Sequence, residues 1–268
     1  QSALDAYALA NAGKNIEFSY DGNKEFIKDL NVNIQKGKIT TILGPNGSGK
    51  STLLSLLCGI NKIKSGEIFI DDLNISNMKY KDIAKKVATV HQQNSVPNDI
   101  SVENLISYGR LPHKGFFEKD SKNDAEIIDW AIKCTGLEAY KDKQVMSLSG
   151  GERQRVFISM ALAQKPEVLF LDEPTTYLDI YHQIEILELV KKLNEEYGIT
   201  IVMVLHDINQ AIKYSHNIII MKNGKLIKSG SAKSIINREL LKEVYKVDGV
   251  VSTLDKETYF IPTRVCNI

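Results

Sequence analysis

"ITTILGPNGSGKST", residues 39–52, is the stretch on which the fold turns. Five residues rich in β-branched side chains run into glycines at 44, 47 and 49. Lys50, Ser51 and Thr52 follow, and then the apolar segment "LLSLLCGI" of residues 53–60. Strand, glycine loop and helix in that order match G-x-x-x-x-G-K-[ST] at every fixed position. Glycines let backbone N–H groups close around phosphate oxygens, and the helix start adds the positive end of its dipole. Gly44, Pro45, Asn46, Gly47, Ser48, Gly49, Lys50, Ser51 and Thr52 form the candidate phosphate-binding set. In this chemistry the lysine reaches the β and γ phosphates and the Ser51 hydroxyl binds Mg²⁺. A chance glycine turn would not match both flanks as well.

Outward from this loop, "IEFSY", "FIKDLNVNI" and "KITTIL" read as short strands, with a turn expected at "DGN" (residues 21–23). "GEIFIDDLNIS" reads as a strand pair. Residues 101–145 are mostly helical in pattern: "SVENLISYGR" opens on a Ser-x-x-Asn start, and "DAEIIDWAIKCTGL" has helical apolar spacing. Beyond them "EVLFLDEP", a helix from Tyr181 to Tyr197, "TIVMVLHD" and a helix from Ile208 alternate. Continuous apolar runs between helices predict a buried parallel sheet. "NIIIMKNGKLIKSG" predicts a hairpin turned at Asn223-Gly224. The expected fold is α/β: a nucleotide-binding core with an antiparallel β subdomain and an inserted α-helical subdomain near residues 93–160. Residues 14–264 read as a single domain, and 1–13 as an expression remnant or disordered arm.

Two further stretches carry chemistry. "VLFLDEP" delivers Asp172 and Glu173 to the carboxyl end of a buried strand, where ligands of open α/β sheets sit. Asp172 suits Mg²⁺, and Glu173, facing the other way, suits polarisation of a water. Two exposed acids at a solvated strand end are the bland alternative. His206 closes "TIVMVLHD" and emerges at the same sheet edge. A lone His there is usually structural, but beside a phosphate loop it becomes a γ-phosphate or orienting candidate. His91, His113, His182 and His216 show no metal-ligand spacing. In "MSLSGGERQR", Ser149, Gly150, Gly151 and Glu152 make an S-x-x-E capping box and an anion-receiving helix start at once.

Composition excludes several classes. The formal charge is +1 with 25% charged residues and no basic tract, so no nucleic-acid groove is advertised. Cys58, Cys134 and Cys266 form no CxxC pair and suggest neither a disulfide frame nor a zinc site. No apolar run approaches the roughly 20 residues that span a bilayer. "QSALDAYALANAG" lacks the basic start and long apolar core of a secretory signal.

Taken in order, the phosphate loop, "LSGGE" (148–152), "VLFLDEPT" (168–175), "YLD" (177–179) and "VLHD" (204–207) resemble the P-loop ATP-binding subunit of ABC transporters over residues 15–262. "SYGRLPH" (107–113) and the chain's size make it most similar to importer ATPases for iron-siderophore, haem and cobalamin uptake. The resemblance implies ATP and Mg²⁺ as ligands, and two copies packed head to tail. The Ser149–Gly151 stretch of one copy would then bind the γ phosphate held by the phosphate loop of the other. It also implies that Tyr20 stacks on adenine and that Gln92 senses Mg²⁺ and the attacking water, with adjacent Gln93 as the alternative. Asp179 would bridge the two copies. Leu111, Pro112 and His113 would lie where a separate membrane permease docks, with a solvated loop as the plain alternative. The chain would work at the cytoplasmic face of the cell membrane, with a ligand-binding protein outside and no nucleic acid. The rivals are a non-transport ABC-type ATPase acting on DNA or ribosomes, and a regulatory module that binds ATP without turnover. Repair members carry long coiled coils and ribosomal members two cassettes; this sequence has neither.

Overall fold

A computed structural model describes residues 9–20, 26–115, 122–255 and 257–266. The chain runs β1 (Leu9–Phe18), β2 (Ile27–Gln35), β3 (Ile39–Leu43), α1 (Lys50–Leu57), β4 (Ser65–Ile70), β5 (Leu73–Asn74), α2 (Tyr80–Lys86), β6 (Val87–Val90), α3 (Val102–Ser107), α4 (Lys122–Cys134), α5 (Gly150–Ala163) and β7 (Val168–Asp172). It continues through α6 (Ile180–Tyr197), β8 (Thr200–Val204), α7 (Ile208–Tyr214), β9 (Asn217–Lys222), β10 (Lys225–Gly230), α8 (Ala232–Ile235), α9 (Arg238–Tyr245), β11 (Val247–Leu254) and β12 (Glu257–Val265). These elements form two compact units, residues 1–77 with 202–268, and residues 78–201.

In the first unit an antiparallel sheet has the order β2-β1-β4-β5, and β3 pairs in parallel with β9, which pairs antiparallel with β10. Every residue of β3 is buried, the polar Thr40 and Thr41 included. The β9–β10 hairpin turns on Asn223 (φ 50°) and Gly224 (φ 72°), the two left-handed residues of a type I′ turn. The expected arm over residues 1–13 needs correction at its end. Leu9 and Asn11–Gly13 pair with residues 32–35 of β2, and Asn11–Gly13 also pair with β4. Ala10 and Ala12 are buried at 3% and 5% exposure, so small residues fill this sheet position where β-branched ones would have advertised a strand. Residues 1–8 and the turn expected at 21–23 lie outside the described residues.

In the second unit β6 and β7 pair in parallel, with Val90 opposite Leu171. Helices α3, α4 and α5 pack on one another, and α5 also packs on β6 and α6. The helical segment therefore shares its compact unit with a strand pair. β8, wholly buried, straddles the boundary of the two units at residues 201 and 202.

Candidate nucleotide site

The first unit holds the phosphate loop. Gly44 leaves β3 with φ 157°, and a Cβ there would run into the carbonyl oxygen of Met221 and the Ser48 hydroxyl. Only glycine fits this approach. Ser48 N–H bonds the Pro45 carbonyl at 3.1 Å, and Gly224 N–H bonds the Ser48 carbonyl at 2.9 Å, so the β9–β10 turn buttresses the loop. Lys50 is 5% exposed and its Nζ donates to the Gly44 carbonyl at 2.9 Å and the Pro45 carbonyl at 3.2 Å. The same ammonium is thus held over the loop whose N–H groups would receive an anion. α1 starts at Gly49 (φ 101°) with no side-chain cap and no acid in its first turn. No acidic side chain in that turn repels an anion drawn to the positive end of the helix. Asn46, Gly47 and Ser51 are exposed along the rim, whereas Thr52 is buried.

Two predicted residues flank this loop. Tyr20 is 68% exposed, and its hydroxyl shares a 2.5 Å hydrogen bond with the Thr52 hydroxyl. Its ring stands edge-on to Phe18 at 4.8 Å, so one end is fixed while a broad apolar surface faces solvent. Leu205 N–H bonds the Ile42 carbonyl at 3.4 Å, which sets the carboxyl end of β8 beside that of β3. His206, exposed, leaves from there. Asp207 caps α7 by accepting from Gln210 N–H at 2.8 Å.

The second unit holds the carboxylates. Asp172 ends β7 half-buried, and Glu173 follows at φ 51°, a left-handed conformation sparsely used by side-chain-bearing residues. Its carboxylate accepts from Gln92 Nε2 at 2.6 Å and from the Thr176 hydroxyl at 3.1 Å. Gln92 lies two residues past Val90 and Glu173 two past Leu171, the paired ends of the parallel strands. Of the two adjacent glutamines, both exposed, Gln92 is the one whose amide meets this carboxylate.

Ser149 caps α5, and the predicted box is closed in both directions. Ser149 Oγ accepts from Glu152 N–H at 3.3 Å, and Glu152 Oε2 accepts from Ser149 N–H at 2.8 Å. Tyr140, whose hydroxyl donates to Glu152, and the Ser149 N–H hold that carboxyl down at about 2. Glu152 therefore turns back on its own helix start. Asp179 caps α6 by accepting from His182 N–H at 3.0 Å.

The "YGRLPH" stretch forms a 3₁₀ turn tied to the end of α5. Arg110 donates to Asp124 and to the Ala163 carbonyl, both at 2.7 Å, and His113 Nε2 lies 2.7 Å from the Gln164 carbonyl. Burial, opposed by that hydrogen bond, lowers the His113 pKa below its usual value. Arg110 is 4% exposed, so its charge is matched where water is absent. Leu111 stays 59% exposed and Tyr108 49% exposed. Sequence reasoning passed over Tyr140 and Glu185, which reach α5 from other elements, and Arg155, which bonds Glu185 from within α5; no local pattern marks them.

An α/β protein with a complete phosphate loop, a strand-end carboxylate pair and a capped glycine helix start is a nucleotide-binding cassette by construction of its parts. Residues 27–176 match the ABC transporter family, more than half of the chain, and the chain belongs to that family. It is 45% identical, over 89% of its length and 88% of the relative's, to the petrobactin import ATP-binding protein FpuC of Bacillus anthracis. It is 46% identical, over 87% and 86%, to the iron(3+)-hydroxamate import ATP-binding protein FhuC of Bacillus subtilis. The dimeric post-hydrolysis structure of the ATP-binding cassette MJ0796 with ADP and Pi superposes with a TM-score of 0.71 at 31% identity, covering 83% of this chain and 98% of that one. The chain is an ABC-type ATPase, and among its described residues no helix is long and apolar enough to cross a membrane.

Proposed function

We propose that this ATPase powers uptake of a ferric siderophore through a separate membrane permease, working as a head-to-tail pair at the cytoplasmic face. The single observation that carries the cargo class is the 45–46% identity, over most of both chains, to the ATP-binding proteins for petrobactin and iron(3+)-hydroxamate import. The dimeric ADP-bound cassette supports the pairing.

Roles follow from each side chain's chemistry. Lys50 and the N–H groups of residues 44–52 bind the phosphates, and Tyr20 offers its exposed ring to the base. Glu173 takes a proton from the attacking water, and Gln92 orients that carboxylate. His206 positions the γ phosphate. Ser51, Asp172 and the Gln92 amide are hard donors that fit Mg²⁺, an ion usually held by one or two protein groups plus phosphates and waters. When bound, Mg²⁺ neutralises charge on the transferring phosphoryl group. Ser149, Gly150 and Gly151 receive the γ phosphate of the other copy, with Glu152 shaping the helix start. Asp179 bridges the copies, and exposed Leu111 and Tyr108 with Pro112 and His113 face the permease. ATP bound by both copies favours the closed pair, and hydrolysis reopens it.

The test is capture of the tagged chain from detergent-solubilised native membranes, followed by uptake of radiolabelled ferric hydroxamate in cells lacking it. A multi-span permease at about one-to-one ratio and lost uptake are expected. Ribosomes or DNA as the co-purifying partner would overturn the transport role.

A further inference from the structure

The starts of α5 and α6 close around one imidazole. A Cβ at Gly151 would overlap the Cγ and Nδ1 atoms of His182, so the ring packs on this helix start only because residue 151 has no side chain. His182 is held from several sides. Its N–H donates to Asp179 Oδ1 at 3.0 Å, its Nδ1 lies 3.1 Å from Glu185 Oε2, and Tyr181 stands edge-on to its ring at 5.2 Å. The other oxygen of Glu185 accepts from Arg155 Nη1 at 2.7 Å. Arg155 lies one turn beyond Gly151 on α5. The circuit is therefore closed: Gly151 and Arg155 on one helix, His182 and Glu185 on the other. The side chains of Arg155, Glu185 and His182 are 15%, 26% and 26% exposed, dry enough to stiffen the charge-assisted bonds.

We propose that His182 is a positioning residue that couples the Asp179 loop to the anion-receiving N–H groups of Gly150 and Gly151. It rests on the reading that these groups serve the other copy's nucleotide. Any shift of the Asp179 side chain moves the N–H that it caps, and with it a ring seated on the Cα of Gly151. Packed contacts transmit such shifts because close-packed atoms have no slack. One imidazole thus sets together the two segments that would meet the other copy. It also gives Gly151 a reason to be glycine that is independent of phosphate.

The test is a double-variant cycle on the intact chain. Gly151→Ala is expected to cut ATP turnover on the order of 100-fold, because the added methyl displaces the ring and misplaces the helix start. His182→Ala alone is expected to lower kcat roughly tenfold, leaving the melting temperature and the affinity of the isolated copy for a fluorescent ATP analogue unchanged. In the double variant, turnover should return to the His182→Ala level, since the cavity receives the methyl. His182→Gln, which keeps volume and a donor toward Glu185, should recover most of kcat. Two fully additive losses, or a Gly151→Ala chain as active as the parent, would overturn the coupling. ATP-dependent association of the Glu173→Gln chain, read by sedimentation, separates the two layers. If that chain associates and the cycle is additive, His182 alone is misassigned. If it stays single, the shared-nucleotide reading falls and the proposal with it.

Discussion

Two helix starts in this molecule are glycine-rich and look built for anions, yet they are finished differently. α1 begins at Gly49 with no side-chain cap and no acid in its first turn. α5 begins at Ser149 inside a closed capping box with Glu152. The first sets no acid against an incoming anion, and its lysine lies folded over the loop. The second serves the N–H groups of Ser149 and Glu152 from its own side chains and leaves those of Gly150 and Gly151 outside the box. The difference teaches that a helix can be stable by itself and still receive charge, provided its cap uses only part of the orphan set. On the proposed pairing, the uncapped start binds and the capped start completes.

Variants can break this comparison at graded strength. The largest effect belongs to chemistry that neither start supplies. Glu173→Gln should retain ATP and lose about 10²- to 10⁴-fold in phosphate release, the usual contribution of a positioned base. Near-normal turnover in a phosphate-release assay would remove Glu173 from that role. Next comes the uncapped start. Lys50→Ala should weaken ATP binding roughly 10- to 100-fold, the worth of a lost charged hydrogen bond at about 1.5–3 kcal/mol. Calorimetric titration reads it directly. At the capped start, Ser149→Ala should cost about 1 kcal/mol of stability, a few degrees in melting temperature, with ATP binding by the single copy untouched. Unchanged melting would mean that the box does not stabilise α5.

The smallest effect is a pH dependence. The Glu152 carboxyl is lowered from 4.5 to about 2, so its contribution to stability is fully present above its ordinary value and is lost as pH falls toward 2. The melting advantage of the parent over Glu152→Gln should therefore be constant near neutrality and shrink across that acidic window. An advantage unchanged at pH 2.5 would contradict the assigned hydrogen bonds.

What the sequence made legible follows from how local each feature is. The phosphate loop, the Asn223-Gly224 turn and the Ser149–Glu152 box are each set by residues a few positions apart, and all three were readable. The carboxylates were placed by the apolar run that ends at Leu171. The first half of β1 was hidden, although "IEFSY" was read as a strand, because Ala10, Ala12 and Gly13 carry no β-branched signal, and their partners lie some twenty residues or more away in the chain. Which of Gln92 and Gln93 bonds Glu173 could not be read without the β6–β7 register. The circuit of Gly151, Arg155, His182 and Glu185 spans two helices about thirty residues apart, so no periodicity within either could reveal it. In "SYGRLPH" the seal on the end of α5 was not legible, because Arg110 and His113 reach the Ala163 and Gln164 carbonyls some fifty residues on.

The central claim is that the capped start of one copy completes the nucleotide bound at the uncapped start of the other. The direct measurement is complementation between two inactive chains, Lys50→Ala and Ser149→Arg, assayed for ATP hydrolysis separately and mixed. Head-to-tail pairing leaves one intact site in each mixed pair, so the mixture is expected to hydrolyse ATP although neither chain does so alone. A mixture as inactive as its components, under conditions where mixed pairs form, would contradict the account.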